Sequence, residues 1–353
     1  MTRPLRIAQV APVATAVPPP RSGSIESLTV LLTDGLVAAG HAVTLFATGE
    51  SRTRATLHAT FARGYREDPQ NWPWELCEMI NISAAIERAA AFDIIHYQAK
   101  YHPFALPFGR LAGIPVVITL HHAPNQDEVA LWGRHYPDTP FIAISDAQAR
   151  SMTGLNVVGV VPHAIDVAAF PFTAEPRDYL LFLGRFTEGK GVMQAIEVAR
   201  RVEIPLVLAA EANDYYREKV APLVDGTQVV YAGEVADEAK AALLGGARAL
   251  LYPVQAGEPF GLVLAEATTC GTPVAALARG AVLEVVDDGV TGGVFESLDA
   301  MVAGLPRVLA LDRAQVRAVA AERFGVARMV AAYEAVYRAL AAPTASAPRA
   351  VSR

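Results

Sequence analysis

Two glutamates, Glu258 and Glu266, are the side chains whose type and spacing point most directly to chemistry. Seven residues separate them, and Glu266 lies in a run that is otherwise almost entirely apolar. We predict a loop that carries Glu258, then a helix that starts near Phe260 and stops at Gly271. Pro259 suits the entry to such a helix. Because the helix is apolar nearly all round, we expect it to be buried, with Glu266 inside it.

The predicted helix combines a buried carboxylate with an anion site at its start. A charged side chain in apolar surroundings is costly unless a partner compensates it. The free N–H groups and the positive dipole end, near residues 260–262, favour an anion. An anion at the helix tip, with hydroxyl-rich groups on either side that each bind one glutamate, matches a nucleoside diphosphate-sugar. The alternative is that Glu266 pairs with an arginine for packing alone.

Two cations follow a predicted buried strand at residues 179–183. Arg185 and Lys190 lie in a loop with three glycines, Gly184-Arg185-Phe186-Thr187-Glu188-Gly189-Lys190-Gly191. A departing nucleoside diphosphate accumulates negative charge, and fixed cations lower the barrier to its departure. We therefore interpret Arg185 and Lys190 as a diphosphate clamp. The alternative is surface charge in a solvated loop.

Polar residues end several predicted strands of the first half of the chain. His96, His121 and Ser145 each follow or close such a strand, and ligands of open parallel sheets bind at the carboxyl ends of strands. His121 is suited to donate to a sugar hydroxyl or to sense the reacting centre. A hydrogen-bonded loop histidine is an equal alternative. Ser145 and Asp146 are interpreted as the cap of the next helix.

The order of predicted elements indicates an α/β protein. A strand at residues 7–10, a loop, a helix at 25–39 and a strand at 42–46 form a parallel βαβ unit. Further predicted strands lie at residues 93–97, 115–120, 141–145, 206–210, 228–231, 249–252 and 273–276, with helices at 213–224 and 237–245 between the later ones. Residues 48–73 are predicted to be irregular. The Ala/Pro/Ser-rich tail, residues 343–353, is predicted to be disordered.

The composition excludes several classes of protein. A chain of 353 residues is too long for one typical core and suggests two domains. The net charge of -6 and the lack of a dense Lys/Arg run argue against nucleic acid and anionic membranes as partners. No run approaches the ~20 apolar residues that cross a bilayer, and the start does not resemble a secretory signal. Cys77 and Cys270 are expected to be buried thiols in a reducing cytoplasm, and no Cys/His spacing predicts a metal site.

The stretch Glu-Pro-Phe-Gly-Leu-Val at 258–263, followed by Glu266 and by Cys-Gly-Thr-Pro-Val at 270–274, resembles the E-x7-E signature of the retaining glycosyltransferases of family four. These enzymes have the GT-B fold, in which two Rossmann-like domains face each other across a cleft. The resemblance covers nearly the whole chain. It implies an acceptor-side domain at 1–165, a domain that binds the nucleotide-sugar at 166–325 and a helix at 326–342 that crosses back to the first domain.

The resemblance also assigns roles to residues of the second half. Glu258 would hold hydroxyls of the donor sugar, and Glu266 those of the ribose. The amides of Phe260, Gly261 and Leu262 would lie close to the phosphates and the sugar, and the backbone at Val235 would meet the nucleobase. The cation loop resembles the Gly-Arg-x-x-x-x-Lys-Gly pattern of the family, with Gly189 where relatives commonly have glutamate.

Two assignments concern the first half of the chain. Thr119-Leu120-His121 resembles the Thr-Leu-His segment that faces the donor sugar in these transferases. The loop Ser22-Gly23-Ser24 stands where relatives usually have Tyr-Gly-Gly, so Gly23 would approach the donor phosphate while Ser24 replaces one glycine. A tight turn that needs one glycine is an equal alternative for Gly23.

These observations predict retaining transfer of a hexose from a nucleoside diphosphate-sugar to an unidentified acceptor. UDP-glucose is the leading donor because of its frequency in the family, and relatives need no metal. A glycoside hydrolase with two acids is rejected because Glu266, buried in a helix beside the cation loop, is poorly placed for acid chemistry. Sugar-nucleotide epimerases of the same fold lack the E-x7-E signature. A protein that senses a nucleotide-sugar without turnover is the remaining alternative, to which Ser24 gives some weight.

Overall fold

The computed structural model describes residues 3–21, 23–99 and 102–342. They form two α/β units, one built on a seven-stranded sheet and the other on a six-stranded sheet. Every strand pairing in both sheets is parallel. This arrangement confirms the α/β class predicted from the alternation of strands and helices and the two Rossmann-like units that the family resemblance implied. The predicted disorder of residues 343–353 and the position of Ser22 lie outside the described residues.

The first sheet has the strand order β3-β2-β1-β4-β5-β6-β7. Its strands are β1 (Arg6–Val10), β2 (Ala42–Thr48), β3 (Thr56–Phe61), β4 (Ile94–Ala99), β5 (Val116–Leu120), β6 (Pro140–Ala143) and β7 (Asn156–Val160). Its helices are α1 (Ser24–Ala38), α2 (Trp74–Ile86), α3 (Ala105–Gly109), α4 (Gln126–His135) and α5 (Asp146–Ser151). The strand order reverses between β1 and β4, and such a switch point opens a crevice for ligands at the carboxyl edge of the sheet.

The second sheet has the order β10-β9-β8-β11-β12-β13 and reverses between β8 and β11. Its strands are β8 (Leu180–Leu183), β9 (Leu206–Ala209), β10 (Val229–Gly233), β11 (Ala249–Tyr252), β12 (Val274–Leu277) and β13 (Gly292–Phe295). The helices from here to the end of the described chain are α6 (Val192–Arg201), α7 (Asp237–Gly246), α8 (Leu262–Thr269), α9 (Val282–Val285), α10 (Leu298–Leu309), α11 (Arg313–Phe324) and α12 (Val326–Ala341).

The sequence-based interpretation differs from the structure mainly at sheet edges. β3 lies within residues 48–73, which were predicted to be irregular. β7 and β13 were not predicted as strands. All three are edge strands, which pair on one side only and need less continuous apolar sequence. β3 is half-exposed along its length, and β13 begins with Gly292 and Gly293, residues that suggest a loop.

The helix predicted at residues 213–224 is also different in the structure. It contains a π-helical turn, Tyr216–Val220, that passes into a 3-10 turn, Ala221–Leu223. Pro222 lies in the second turn and has no N–H group, so it removes one hydrogen bond that a continuous α-helix would need. The backbone hydrogen bonds of this segment therefore change from the π-helical to the 3-10 pattern before the segment ends.

The helix α12 packs on the first sheet, although it follows the second one in the chain. Met329, Val330, Tyr333 and Tyr337 belong to the same buried cluster as Leu32 of α1. Both tyrosines are at most 2% exposed. The hydrophobic core of the first unit is thus completed by the last described helix.

Candidate active site

The loop that carries Lys190 lies directly against the loop that follows β11. The amide of Gln255 donates to the carbonyl of Gly189 over 2.9 Å. Gly191 has φ +77, and a Cβ atom there would lie 2.0 Å from the carbonyl oxygen of Pro253. Only glycine combines this left-handed conformation with so close an approach of two backbones. The contact brings Lys190 to the segment that contains Glu258.

Glu258, Lys190 and Tyr252 form a compact polar cluster. Oε2 of Glu258 accepts from Nζ of Lys190 at 2.6 Å and also from the hydroxyl group of Tyr252. Nζ of Lys190 lies 3.2 Å from the tyrosine oxygen. Burial, and then the adjacent Glu258 carboxylate, raise the pKa of Tyr252 well above its ordinary value. The hydroxyl group therefore keeps its proton and remains a donor to Glu258.

Gly280 supports the backbone of Glu258 from the opposite side. The amide of Ala281 donates to the carbonyl of Glu258 over 2.8 Å. Gly280 has φ +58, and a Cβ atom there would lie 2.3 Å from the carbonyl oxygen and 2.4 Å from the amide nitrogen of Glu258. The position of Glu258 thus depends on a glycine 22 residues later in the chain, which the sequence interpretation did not single out.

The helix α8 begins at Leu262, two residues after Phe260, near which its start was predicted, and Gly261 is its N-cap. Gly261 has φ +86, in the left-handed region. This conformation is not that of a right-handed helix, so the loop extends to Gly261 and the helix follows it. Among the described residues, the N–H groups of Phe260, Gly261 and Leu262 donate to no acceptor. Together with the helix dipole, these groups can bind an anion. The helix ends at Thr269, and Gly271 lies beyond its C-cap with φ +84.

Glu266 is buried in α8 as predicted, and its partner is a lysine, whereas the alternative of packing alone named an arginine. Oε1 of Glu266 lies 2.5 Å from Nζ of Lys240, which α7 provides. Oε2 is buried and has no hydrogen-bond partner among the described residues. One carboxylate oxygen is therefore held by a cation, while the other can still accept a hydrogen bond.

Arg185 and Val235 are the other two residues of the second unit that were predicted to bind the donor, and neither takes part in the contacts described above. Arg185 is exposed, and in the part of the chain that the structure describes it makes no hydrogen bond or ion pair. No described contact joins it to Lys190. Val235 is half-buried and follows the end of β10 at Gly233. Both positions lie beyond the carboxyl ends of strands β8 and β10, where ligands of parallel sheets bind.

Gly23 lies at the N-cap of α1 in an extended conformation, with φ −177. Any residue can adopt this backbone conformation, so a positive φ is not the reason for a glycine here. The constraint is steric, because a Cβ atom would lie 2.8 Å from Cγ of Pro19. The structure therefore explains the glycine by the close approach of the proline-rich loop to α1.

His121 follows β5 in the first unit and is connected to the second unit through aromatic rings. Its ring stacks on His163 with centroids 5.2 Å apart, and His163 contacts Phe260 edge-to-face at 4.9 Å. Nε2 of His121 lies 2.8 Å from Oε1 of Gln98, whereas Nδ1 is buried and has no partner among the described residues. Burial lowers the pKa of His121 to about 3, so the ring is neutral near pH 7.

Polar contacts also join the two units beside Glu258. The hydroxyl group of Ser145 donates to the carbonyl of Pro259 over 2.6 Å. The amides of Asp146 and Ala147 each donate over 2.7 Å to the carboxylate of Glu284. Ser145 also caps α5, as predicted. The loop with Glu258 is thus hydrogen-bonded to the carboxyl edge of the first sheet, where β6 ends.

Neither a cluster of metal ligands nor a helix that could span a membrane is found among the described residues. No group of three or more His, Cys, Asp or Glu side chains there has a geometry that could hold a metal ion. Among the helices of the described ranges, none is both long and apolar enough to span a bilayer. Cys77 and Cys270 are both buried and free.

Comparisons with known proteins agree with this architecture. Residues 25–169 match the model of Glycosyltransferase Family 4, and residues 168–323 match the model of Glycosyl transferases group 1. The phosphatidyl-myo-inositol mannosyltransferase of Mycobacterium tuberculosis is 26% identical over 359 residues, which cover 92% of this chain and 93% of that protein. The two family models meet at the junction between the two α/β units.

Solved structures show the same fold. The crystal structure of AviGT4, a glycosyltransferase involved in avilamycin A biosynthesis, has a TM-score of 0.74 and 26% identity, and the match covers 97% of this chain and 99% of that one. Anabaena HepE in complex with UDP and glucose has a TM-score of 0.71 at 17% identity, with 95% and 100% coverage, and this likeness concerns the fold alone. The GT-B fold expected from the signature is confirmed. The chain belongs to glycosyltransferase family 4.

Proposed function

We propose that this glycosyltransferase moves a hexose, with retention at the anomeric carbon, from a nucleoside diphosphate-hexose to an acceptor hydroxyl. The observation that carries the proposal is the arrangement at the start of α8. A carboxylate, Glu258, is paired with Lys190 directly before a helix whose first N–H groups have no acceptor among the described residues. A second carboxylate, Glu266, has a free oxygen within the same helix.

The diphosphate of the donor would bind at the N-terminus of α8. The amides of Phe260, Gly261 and Leu262 provide hydrogen-bond donors, and the helix dipole favours the negative charge. Lys190 and Arg185 add two positive charges from the loop after β8. Because the diphosphate leaves as an anion, these groups stabilise the transition state more than the ground state. They supply the positive charge that a metal ion supplies in other transferases, so we propose that transfer needs no divalent cation.

The nucleoside would lie on the other side of the diphosphate. Oε2 of Glu266 is buried and available, so it would accept from a ribose hydroxyl while Lys240 holds Oε1. The backbone at Val235, at the end of β10, would border the base. Gly23, at the start of α1, would approach the phosphates from the first unit.

The sugar would lie between Glu258 and His121. Glu258 would accept hydrogen bonds from sugar hydroxyls and stabilise the positive charge that develops at the anomeric carbon. In the reaction, the bond between this carbon and the diphosphate oxygen breaks and that oxygen keeps the electron pair. A bond to the acceptor oxygen forms on the same face, and the proton of the acceptor hydroxyl passes to the departing diphosphate oxygen.

UDP-glucose is the proposed donor because of its frequency among members of the family. The Mycobacterium tuberculosis relative is named as a mannosyltransferase, and this supports mannose as the alternative hexose. The Anabaena structure of the same fold contains UDP and glucose. Two buried free thiols fit a reducing compartment, and we propose the cytoplasm as the place of the reaction.

A panel of nucleotide-sugars tests the proposal. Each donor is scored by the shift in thermal midpoint and by release of free UDP or GDP, with and without EDTA. We expect slow hydrolysis of one nucleoside diphosphate-hexose in the absence of acceptor, unaffected by EDTA. Tight binding with no turnover of any donor, in the presence of a broad set of acceptors, would contradict the proposal and indicate a sensor.

A further inference from the structure

A buried polar network connects helix α12 to His121. Its members lie on three strands of the first unit, β1, β4 and β5, and on α12, and each is at most 2% exposed. They are Gln9, His96, Gln98, Thr119, Tyr333 and Tyr337. A network of this kind inside a hydrophobic core is costly unless its hydrogen bonds are satisfied. Each donor in the network must therefore face an acceptor, so the direction of one hydrogen bond constrains the direction of the next.

The direction of the hydrogen bonds is set at Tyr337. Its oxygen accepts from Nε2 of Gln9 over 2.9 Å, so its own proton is directed to Nδ1 of His96 at 2.5 Å. A neutral imidazole carries one N–H group, and in His96 it must then be on Nε2. That nitrogen lies 2.7 Å from Oγ1 of Thr119, which accepts the proton. Thr119 in turn lies 3.3 Å from the hydroxyl group of Tyr333.

The same direction continues through Gln98 to His121. Nε2 of Gln98 lies 3.2 Å from Oε1 of Gln9 and 3.2 Å from Nδ1 of His96, both of which are acceptors. Its other side-chain atom, Oε1, therefore faces Nε2 of His121 at 2.8 Å. An oxygen at this distance requires an N–H group on Nε2. Because burial lowers the pKa of His121 to about 3, its ring is neutral, and Nδ1 carries a lone pair.

Nδ1 of His121 is the end of the network. Of the side-chain atoms of these seven residues, it is the one that is buried without a partner among the described residues. An unsatisfied buried acceptor is unfavourable, so a donor from a ligand would complete the network. The ring of His121 stacks on His163, and His163 contacts Phe260, two residues after Glu258. These ring contacts connect His121 to the loop that carries Glu258, beside which the sugar is proposed to lie.

We propose that Gln98 and Tyr337 are positioning residues that fix His121 as its Nε2-protonated tautomer, so that Nδ1 accepts a hydrogen bond from a hydroxyl of the transferred sugar. The role of the sugar rests on the proposed function, whereas the tautomer does not. In this proposal His121 accepts a hydrogen bond from the sugar, whereas the sequence suggested that it could donate one.

The opposite direction of every bond is the competing arrangement. If both amide groups were turned over, Tyr337 would donate to Gln9, Gln98 would donate to His121, and Nδ1 of His121 would carry the proton. Amide and imidazole orientations of this kind are decided by the whole network and not by single atoms. A measurement of the protonated nitrogen of His121 distinguishes the two arrangements without any donor sugar.

Nitrogen NMR of the full-length protein labelled with 15N-histidine provides this measurement, with His121→Gln to assign the signals. We expect a protonated Nε2 and an unprotonated Nδ1 in the wild-type protein. In Gln98→Met, which keeps the side-chain length and removes the amide, we expect a mixture of tautomers. Asn81→Leu is the matched control, because Asn81 is an equally buried amide that binds the carbonyls of Ala11 and Phe46 outside the network. A protonated Nδ1 in the wild type, or an unchanged tautomer in Gln98→Met, would overturn the proposal.

Donors that lack single hydroxyl groups test the contact with the sugar. For one deoxy donor, we expect the wild type to lose roughly 10-fold or more in kcat/KM, because the buried acceptor is left unpaired. In Gln98→Met this penalty should shrink while the affinity for UDP stays the same. Tyr337→Phe, which keeps the ring in the core, should shrink it in the same direction and serves if Gln98→Met does not fold. An equal penalty in wild type and Tyr337→Phe contradicts the positioning role.

The two experiments separate the inference from the proposed function. If the wild type transfers no sugar from any donor, the proposed function fails, while the NMR result still decides the tautomer. If transfer proceeds but Nδ1 carries the proton, the transferase proposal stands and the inference about the network fails. If the tautomer is as expected but no deoxy donor is penalised through Gln98, the hydrogen bond to the sugar is wrong.

Discussion

Nζ of Lys190 and Oε2 of Glu258 are 2.6 Å apart and form an ion pair next to the start of α8. The sequence assigned the two residues to different parts of the donor, the lysine to the diphosphate and the glutamate to the sugar. Their contact means that neither charge acts alone. The bond that breaks in the reaction joins the sugar to the diphosphate, so a paired cation and anion at this place can stabilise both developing charges.

The contrast between Lys190 and Arg185 gives the first prediction. Both Lys190→Ala and Arg185→Ala should lower turnover by about 10²-fold or more, the usual effect of losing one preorganised charge contact. Only Lys190→Ala should also lower the thermal midpoint, because Lys190 is bonded to Glu258 and Tyr252, whereas Arg185 makes no hydrogen bond or ion pair with the described residues. Lys219→Ala, at an exposed position, is the control. Near wild-type turnover of either variant would remove that residue from the diphosphate clamp.

The second prediction concerns Glu258. Glu258→Ala should bind free UDP about as well as the wild type but transfer sugar at least ~10²-fold more slowly. Its contact with the sugar strengthens towards the transition state, so the loss should appear in kcat. Tyr252→Phe, which removes one hydrogen bond to the carboxylate, should have the same effect at smaller size. Calorimetry with UDP beside a transfer assay measures both quantities, and a loss of UDP affinity in Glu258→Ala as large as in Glu266→Gln would refute the division of roles.

The third prediction links Lys240 to nucleotide binding. Glu266→Gln should raise KM more than it lowers kcat, because a ribose contact is equal in ground and transition states. Lys240→Met should weaken UDP binding in the same direction, since the lysine holds Oε1 of Glu266. The double variant should lose less than the sum of the two single losses. Full UDP affinity in Lys240→Met would show that the lysine does not orient Glu266.

The fourth prediction tests the glycine behind Glu258. Gly280→Ala and Gly289→Ala both place alanine at positive φ, +58 and +78, but only at Gly280 would the new Cβ atom meet the backbone of Glu258. Gly289→Ala should cost roughly 1–2 kcal/mol of unfolding free energy for the backbone conformation alone. Gly280→Ala should add roughly 1–3 kcal/mol from overpacking and should lose transfer activity. Equal stability and activity of the two variants would contradict the support of Glu258 by Gly280.

The fifth prediction concerns pH. Burial lowers the pKa of His96 and of His121 to about 3, from an ordinary value of 6.5. Between these values the unfolded chain binds more protons than the folded one, so the free energy of unfolding should rise as pH increases from about 3 to 6.5 and then level off. Urea unfolding at a series of pH values measures this slope. His96→Leu should reduce the slope, and the exposed His135→Gln should not; a wild-type stability that increases on acidification would refute the buried neutral state.

The helix with Glu266 could be predicted from the sequence because its signals are local. Its apolar run, the proline before it and the glycine after it lie within a few residues of one another. The partners of the site are not local. Lys240 is 26 residues before Glu266, and Gln98 is 23 residues before His121. Their roles depend on how neighbouring helices and strands pack, which no spacing in the sequence indicates.

Tyr252 shows the same limit at short range. It is six residues before Glu258 and ends a buried strand whose apolar sequence is typical of the core. A tyrosine at the carboxyl end of a central parallel strand is a usable signal, because that edge faces the ligand crevice. Its contact with Glu258 still depends on the conformation of the loop between them, at the end of which Gly280 and the amide of Ala281 contact the backbone of Glu258.

The position of α12 affects when the first unit can complete its folding during synthesis and how chimaeras of this protein must be designed. The ribosome delivers the seven strands of the first sheet, then the whole second unit, and only then the helix that covers Leu32 and contributes Tyr333 and Tyr337. Until α12 is synthesised, the first unit exposes an apolar surface and an incomplete polar network. Folding of the first unit therefore requires that the nascent chain is not degraded before α12 appears. A chimaera that exchanges the first half with that of another enzyme must therefore also exchange α12, because this helix belongs by its contacts to the part of the chain made first.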